Sequence, residues 1–550
     1  MEIKRFYLII FCLFFFNISH SMYEPSAPPP PNSYFNSGAY ADPVYYVLPD
    51  VQTACGISNK ELSYVFNREQ YVTGPGIVSF LKQNGYDLDI LRQHCKRETF
   101  ILPRIAAIGS GGSLRATIYF AGGMAGAQAT GLLNTFLYTA TLSGSTWCMG
   151  TLMARNISPL DFLPILKDRV KHNIFDIFVM NIRDIANKLY EKWKKRKTIS
   201  TADIWGAIIL DRLLGDLGGE YAQDISFSSV RSMLEASSSY AWPYPLFSLS
   251  VAPHDKNKRI KNKQEYKWMC VHPYSVESQF LGGRIDTQEF SSCFDDGKCV
   301  ELLEEENLAT FLGLFGSAYC FSLGDILKLI AESIGDYKFW LELKKIIDKY
   351  HLYQGRFLSA KFPNFTYNMQ GLPFAQWPKI ETQDCGYDFN NPFPPVLSLR
   401  DPKTKKIISR NVDMVIDFDA SSDAADKGYP EMQYAQMYCK EHEIPFPDIK
   451  KPNLKESTSR VIIFDKRVKN NTPVPTVIGI PNVHKFSTLK LDYNDLEFDL
   501  LAGGAHETVN NNSKVIAGAI YRKIKDLNGI KSKNEASLGA LSNRFGEMKI

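Results

Sequence analysis

Two consecutive segments of the chain each have the pattern of a short apolar strand, a turn of small residues and a helix. The first, RIAAIGSGGSLRATIYFAGGMAGAQATGLL, begins at Arg104, and the second, TFLYTATLSGSTWCMGTLMA, spans residues 135–154. In the first segment we predict a buried strand over 104–108, a glycine loop over 109–112 and a helix from Ser113. Two such units in succession predict a parallel βαβ pair and therefore an α/β fold.

The turns of the two units should lie beside each other. Parallel strands place the turns that follow them at the same edge of the sheet, where α/β proteins have their binding sites. A glycine loop that opens a helix presents backbone N–H groups at the positive end of the helix dipole, which suits an anion or an oxyanion. With Ser143 on the neighbouring turn, the pair has the groups that acyl transfer needs.

Other interpretations of these turns stay open on the residues alone. A dinucleotide fingerprint, G-x-G-x-x-G, would need glycine at Leu114 and an acidic residue about 20 residues later, and the chain has neither. The generic nucleophile elbow G-x-S-x-G is not met, because Thr141 and Ser145 stand at its glycine positions. A tight turn without a ligand, in which Ser143 is an ordinary hydroxyl, is the simplest alternative.

Composition excludes several classes of protein. The 550 residues are 45% hydrophobic and 22% charged, which is typical of one or two globular domains. The formal net charge of +4 gives no signal for a nucleic-acid partner. No CxxC motif and no His/Cys cluster has the spacing of zinc ligands, so we predict neither a metal site nor a cofactor.

The amino terminus has the pattern of a cleaved secretory signal over residues 1–21. Lys4 and Arg5 precede an apolar run over 6–16 and a small-residue end over 19–21. A membrane anchor is the alternative, but the run is shorter than the roughly 20 residues that cross a bilayer. We therefore predict a secreted or periplasmic protein that is peripheral at membranes when it acts.

The remaining organisation follows from composition along the chain. We predict a proline-rich linker over 22–50, one globular domain over 51–530 and a polar tail over 531–550. Loss of Cys12 with the signal would leave nine cysteines, an odd number. Cys293 and Cys299 are the best disulfide candidates because they lie in a polar stretch.

Longer strings around the two turns resemble one protein family. The strings AAIGSGGSLRA and TLSGSTWCMGTL resemble the catalytic domain of the group IV cytosolic phospholipases A2 and the related fungal lysophospholipases, which are patatin-like Ser-Asp acyl hydrolases. The run SGSTW at 143–147 is specific to that family. QDCGYDFNNPFPPVL at 383–397 and VDMVIDFDAS at 412–421 follow in the family's order, and the resemblance covers roughly residues 95–485.

The resemblance implies a fold and a set of site residues. The fold would be a central, mostly parallel sheet flanked by helices, the patatin-like three-layer core, with an inserted cap or lid over roughly 255–380. Ser143 would be the nucleophile and Asp384 its base in a Ser-Asp dyad, while Arg115 would face the substrate phosphate. The expected oxyanion donors are the N–H groups of Gly111, Gly112 and Ser113.

The residue types suit these roles, although Asp384 and Arg115 could each have a purely structural role instead. A carboxylate base near neutral pH needs a pKa above the usual ~3.9, which burial under a lid would supply. Asp384 could instead only form a turn, and Asp388 is its nearest competitor. Arg115 could form a structural ion pair. The chain departs from the family at Thr141 and Ser113, where relatives have glycine.

The predicted activity is calcium-independent hydrolysis of fatty-acyl esters of glycerophospholipids or lysophospholipids through an acyl-enzyme. The segment before the glycine loop is too short for the calcium-binding C2 module of some relatives. Basic clusters at 188–197 and 254–268 could attract an anionic membrane surface, although solvated surface is the simpler interpretation. A non-catalytic lipid-binding relative, motivated by Thr141, and a lysophospholipid transacylase remain as alternatives.

Overall fold

A computed structural model describes most of the chain from residue 51 to residue 530. The described residues are 51, 57–95, 99–176, 178–196, 199–217, 225–236, 241–253, 267–317, 360–397, 410–422, 429–449, 461–465 and 474–530, with a few positions between 327 and 348. The predicted signal, linker and polar tail lie outside the described residues, as does most of the basic cluster at 254–268.

The described part of the chain contains both helices and strands. The helices are α1 Asn59–Arg68, α2 Gly74–Gln83, α3 Leu88–His94, α4 Ser113–Ala129, α5 Gly144–Arg155, α6 Pro159–Arg169, α7 Ile182–Arg196, α8 Thr201–Leu214, α9 Phe227–Ala236, α10 Leu308–Phe315, α11 Pro430–Glu441, α12 Asp495–Asn511 and α13 Ser513–Leu527. The strands are β1 Ile105–Gly109, β2 Phe136–Thr141, β3 Tyr244–Pro253, β4 Lys267–His272, β5 Ser275–Ser278, β6 Gly283–Ile285, β7 Cys293–Asp295, β8 Lys298–Glu301, β9 Ala360–Pro363, β10 Lys379–Gln383, β11 Met414–Asp419, β12 Ile462–Phe464 and β13 Thr476–Pro481.

The centre of the main sheet is parallel. Its strands run in the order β13-β11-β1-β2-β3, and each neighbouring pair is parallel. Strands β1 and β2 pair from Ile105 opposite Phe136 to Gly109 opposite Thr141, with a one-residue register shift between Ile105 and Ala106, and a helix lies between them along the chain. The predicted βαβ unit and the predicted α/β class, a central sheet flanked by helices, are confirmed.

Antiparallel strands extend both edges of this sheet. Strand β12 pairs with β13 at one edge, and β4, β5 and β6 follow β3 at the other, while β10 pairs with β3 and β9. Strands β4 to β6 and β9 fall within 255–380, the range expected for a cap, and β10 begins there at Lys379, yet all five belong to the main sheet. A mobile lid in the remainder of that range stays a prediction.

Helix α4 is rich in Ala and Gly because it packs closely against α12. A Cβ atom on Gly122 would lie 2.2 Å from the carbonyl oxygen of Ala502, so any side chain there would separate the two helices. Every residue of α4 from Ser113 to Ala127 is buried. Among the described residues, no helix is both long and apolar enough to cross a membrane.

The basic segment of α7 is partly turned inward. Lys192 donates hydrogen bonds to Asp203, to Glu306 at 2.8 Å and to Thr310 at 2.7 Å, and its side chain is 12% exposed. Trp193 stacks on Tyr190 with ring centroids 6.0 Å apart. Lys192 is therefore part of a buried ion cluster and is not available to attract a membrane surface.

A buried ion network connects α1 to the sheet. Arg410 donates to both carboxylate oxygens of Glu61 at 2.6 Å and to Glu277 of β5 at 2.8 Å. Burial alone would lower the pKa of Arg410, but the two carboxylates outweigh it and raise that pKa well above its ordinary value. The guanidinium thus stays charged, and the network holds three distant parts of the chain together.

Replacement of Arg410 by methionine should lower the free energy of unfolding by about 3–5 kcal/mol, because it leaves the Glu61 carboxylate buried without its cation. Denaturant unfolding measures this. The matched control is Arg104→Met, which breaks the more exposed ion pair to Glu69 and should cost about 1 kcal/mol or less. Equal losses in the two variants would contradict a special contribution from the buried network.

Candidate active site

Ser143 occupies a strained turn between β2 and α5. Its φ is 53° and its ψ is −121°, a conformation that residues other than glycine rarely adopt. Its carbonyl oxygen accepts hydrogen bonds from the N–H groups of Thr146 at 2.9 Å and Trp147 at 3.2 Å, which begin α5. The side chain is 6% exposed. A serine held in this way at a strand-to-helix turn has the geometry of a nucleophile elbow.

The glycine loop contacts this elbow directly. A Cβ atom on Gly144 would lie 1.9 Å from the carbonyl oxygen of Ser113, and one on Gly111 would lie 3.0 Å from the Cβ of Ser143. The hydroxyl of Thr117 donates to the carbonyl oxygens of both Gly144, at 2.8 Å, and Ser113, at 3.1 Å. The structure therefore brings the two turns together, as the parallel units predicted.

The N–H groups of the loop are not equivalent. That of Gly111 donates to the carbonyl oxygen of Asn390 at 3.0 Å, and the side-chain amide of Asn390 donates back to the carbonyl oxygen of Gly111 at 3.1 Å. The N–H of Gly111 is therefore already paired with Asn390, and its expected role as an oxyanion donor stays a prediction. Gly112, with φ 138°, and Ser113, with φ 55°, present N–H groups that make no hydrogen bond within the described residues.

Asp384 approaches from the opposite direction along β3. Thr141 of β2 pairs with Phe247, and Gln383 of β10 pairs with Ser250. Strand β4 pairs with the same two residues of β3 from the other side. Strands β2 and β10 consequently lie end to end on one side of β3, running toward each other.

This register directs the chain toward a common region at Ser143 and Asp384. Phe247 and Ser250 are three residues apart, which leaves a gap of about 10 Å along β3. Ser143 follows the last residue of β2 by two positions, and Asp384 follows the last residue of β10 by one. The ends of β2 and β10 therefore point the chain at Ser143 and at Asp384 toward each other along β3.

The backbone of Asp384 is held by hydroxyl groups. Its N–H donates to Ser317 Oγ at 2.8 Å, and Ser250 Oγ donates to its carbonyl oxygen at 3.3 Å. One carboxylate oxygen accepts the N–H of Gly386 at 2.8 Å, and the residue is fully buried. The competitor Asp388 is exposed and accepts a hydrogen bond from Trp268 Nε1 at 2.9 Å. Burial distinguishes Asp384 from it.

Arg115 folds back over the glycine loop. Its Nη1 donates to the carbonyl oxygen of Phe486 at 2.6 Å, and its Nη2 would lie 2.7 Å from a Cβ atom on Gly112. The side chain is 3% exposed. Burial raises the pKa of the nearby Asp419, and the positive charge of Arg115 acts in the opposite direction. A buried cation thus stands beside the turn that ends in Ser113.

Thr141 fits its position without crowding the elbow. It is the last residue of β2, and its hydroxyl accepts a hydrogen bond from Thr146 at 3.2 Å and donates to the carbonyl oxygen of Leu246 at 3.5 Å. Its φ is not positive. A glycine is therefore not required there by the backbone.

Sequence reasoning missed the polar residues behind the site. Asn390 braces the glycine loop, and Asn391 donates to the buried carboxylate of Asp417 at 2.6 Å. Burial, and then the nearby Asp419, raise the pKa of Asp417 well above its ordinary value. Both asparagines lie in the string QDCGYDFNN, but only the folded chain brings them to the loop. In the described residues, no group of three or more His, Cys, Asp or Glu side chains could hold a metal ion.

The fold and the site together define an α/β protein with a serine elbow beside a glycine loop that opens a helix. A model of the lysophospholipase catalytic domain matches residues 105–427, more than half of the 550 residues. The chain belongs to this family, as the resemblance of its motifs predicted.

Curated relatives and solved structures agree. The chain is 24% identical over 444 residues to human cytosolic phospholipase A2 zeta, covering 70% of this chain and 49% of that protein. It is 31% identical over 217 residues to mouse cytosolic phospholipase A2 gamma, covering 40% of this chain and 34% of that protein. The chain thus spans about half the length, or less, of these relatives. The structure of human GIVD cytosolic phospholipase A2 shares the fold, with a TM-score of 0.67 and 16% identity over 87% of this chain and 68% of that one.

Two expectations that depended on export are wrong. The matched relatives are named cytosolic phospholipases A2, which contradicts the predicted secreted or periplasmic location. An apolar run over 6–16 after two basic residues is too simple a pattern to specify export by itself. Cys293 and Cys299 are free thiols: on the β7-β8 hairpin Cys293 pairs with Glu301 and Cys299 with Phe294, so the two cysteines are not opposite each other.

Replacement of Gly144 by alanine should disrupt the elbow, because the new Cβ would meet the Ser113 carbonyl oxygen at 1.9 Å. We expect a lower thermal midpoint and loss of labelling of Ser143 by a fluorophosphonate. The matched control is Gly503→Ala on α12, where no atom lies within 4 Å of the new Cβ. That change should stabilise the protein by about 0.5–1 kcal/mol. Normal labelling of Gly144→Ala would contradict the tight contact.

Proposed function

We propose that this chain is a serine acyl hydrolase that cleaves fatty-acyl esters of glycerophospholipids or lysophospholipids through Ser143 and Asp384. The observation that supports the proposal is the end-to-end arrangement of β2 and β10 on β3, because these strands run toward each other and are followed by the strained Ser143 and the buried Asp384. Family membership supports the reaction class. A solved relative, human GIVD cytosolic phospholipase A2, is described in complex with a methyl γ-linolenyl fluorophosphonate inhibitor, a reagent class that phosphonylates nucleophilic serines.

The chemistry needs only groups of this chain. As Ser143 Oγ attacks the ester carbonyl, its proton passes to the Asp384 carboxylate, and the carbonyl oxygen becomes an oxyanion. The N–H groups of Gly112 and Ser113, at the N-terminus of α4, stabilise that charge. Asp384 then gives its proton to the departing alkoxide. Water then attacks the acyl-enzyme carbonyl as Asp384 takes a proton from it. Asp384 returns this proton to Ser143 Oγ as the bond to the acyl group breaks and the fatty acid leaves.

Arg115 would recognise the phosphate of the substrate. It is a buried cation one helical turn from the oxyanion donors, and a phosphate diester beside the scissile ester carries the complementary charge. Because the reaction passes through a Ser-Asp dyad, we propose that it does not depend on calcium. The site would act at the surface of a phospholipid membrane or on dispersed lysophospholipid.

Replacement of Ser143 by alanine or of Asp384 by asparagine should reduce fatty-acid release from mixed phospholipid vesicles in excess chelator by about 10⁴-fold or more. The matched control for the carboxylate is Asp388→Asn, which should keep most of the activity because Asp388 is exposed and bonded to Trp268. Release by the wild type that stops in chelator would overturn calcium independence. Release that survives in Ser143→Ala would overturn the dyad.

Replacement of Arg115 by alanine should lower kcat/KM for a phospholipid by about 10–100-fold, the value of a lost charge-assisted hydrogen bond. A monoacylglycerol with the same acyl chain lacks the phosphate and serves as the matched substrate, whose kcat/KM should change far less. The thermal midpoint of the variant reports the lost bond to Phe486 separately. Equal losses on both substrates would show that Arg115 acts on the fold and not on the phosphate.

A further inference from the structure

Ser113 combines two unfavourable features at one position. Its φ of 55° lies in the left-handed region, which serine adopts at a cost in energy. Its hydroxyl is buried, with the residue 1% exposed, and makes no hydrogen bond within the described residues. A strained residue with an unpaired buried hydroxyl is a candidate to bind a ligand.

The position of Ser113 identifies that ligand. Its carbonyl oxygen, carbonyl carbon and nitrogen lie 1.9, 2.7 and 2.9 Å from the place of a Cβ atom on Gly144, the residue after the nucleophile. Its N–H is one of the two oxyanion donors proposed above. Only Cα and Cβ separate that nitrogen from Oγ, so an acceptor that binds the N–H is within reach of the hydroxyl as well.

A comparison with other buried, unpaired hydroxyls shows what is particular to Ser113. Thr139, Thr151, Ser248 and Tyr429 also have hydroxyls without partners in the described residues. Of these four, Tyr429 has a positive φ, 59°, but none belongs to the glycine loop or lies at the start of a helix beside the nucleophile. The unpaired hydroxyl carries an argument at Ser113 because it coincides with backbone strain and with the positive end of α4.

We propose that the hydroxyl of Ser113 donates a hydrogen bond to the oxyanion, as a third donor beside the N–H groups of Gly112 and Ser113. This inference rests on the proposed function and goes beyond the backbone donors. In the attack step the bond between Ser143 Oγ and the carbonyl carbon forms, and the carbonyl π electrons move to the oxygen. The proton of Ser143 goes to Asp384, whereas the Ser113 proton is shared with the oxyanion and never transferred.

The test compares Ser113→Ala and Ser113→Gly with the wild type in fatty-acid release from the same vesicles. Both variants should lose about 10²-fold in kcat, the usual effect of removing one oxyanion donor, with KM nearly unchanged. Glycine suits the positive φ, so Ser113→Gly should raise the thermal midpoint while it lowers kcat. If Ser113 had only a structural role, its replacement would change the thermal midpoint and kcat in the same direction.

A second measurement reports the oxyanion without turnover. An alkyl trifluoromethyl ketone forms a hemiketal with a nucleophilic serine and places an oxyanion in the same position, so its affinity should fall by the same factor as kcat in both variants. The matched control is Thr139→Val, which removes a buried unpaired hydroxyl of β2 and should leave kcat and inhibitor affinity unchanged.

The outcomes separate the two proposals. Wild-type release that depends on Ser143, together with unchanged kcat in Ser113→Ala or in Ser113→Gly, would overturn the third donor and leave the hydrolase intact. A loss in kcat without a matching loss in ketone affinity would also overturn it. Absence of any release that depends on Ser143 would overturn both proposals together.

Discussion

The contact between the backbone of Ser113 and Gly144 is the constraint on which the site depends. A carbonyl oxygen 1.9 Å from the place of a Cβ atom leaves room only for hydrogen at position 144, and this lets the two turns touch. The contact in turn requires β1 and β2 to be parallel neighbours, with the N–H of Leu142 donating to the carbonyl oxygen of Gly109 at 3.2 Å. The parallel pairing of β1 and β2 therefore places the two turns in contact.

Strand β3 joins the parallel and antiparallel parts of the molecule. Its first half pairs with β2, and its second half pairs with β10, which arrives from the region expected to form a cap. The proposed nucleophile and base therefore come from chain segments 241 positions apart, from 143 to 384, yet share one strand as their support. The buried network around Arg410 connects β5 of this antiparallel edge to α1.

Two strained serines and two unpaired N–H groups lie where we propose the chemistry. Ser113 and Ser143 both have positive φ, and the N–H groups of Gly112 and Ser113 have no acceptor within the described residues. Such features cost stability unless a ligand uses them, and active sites are where proteins retain them. An oxyanion would accept from these donors, and the adjacent Arg115 would supply a cation for the phosphate of the proposed substrate.

The sequence by itself determined the strand-turn-helix units and their parallel pairing, because periodicity and glycine placement act over a few neighbouring residues, and the resemblance of its motifs supplied the family and the candidate residues. Only the tertiary structure decided which polar and charged groups remain available to bind a ligand. Asn390, 279 positions from Gly111, occupies the N–H that the sequence assigned to the oxyanion, and Lys192 is drawn into a buried cluster with Asp203 and Glu306. Hydrogen bonds and ion pairs between distant segments depend on how the chain packs, and local patterns do not encode them.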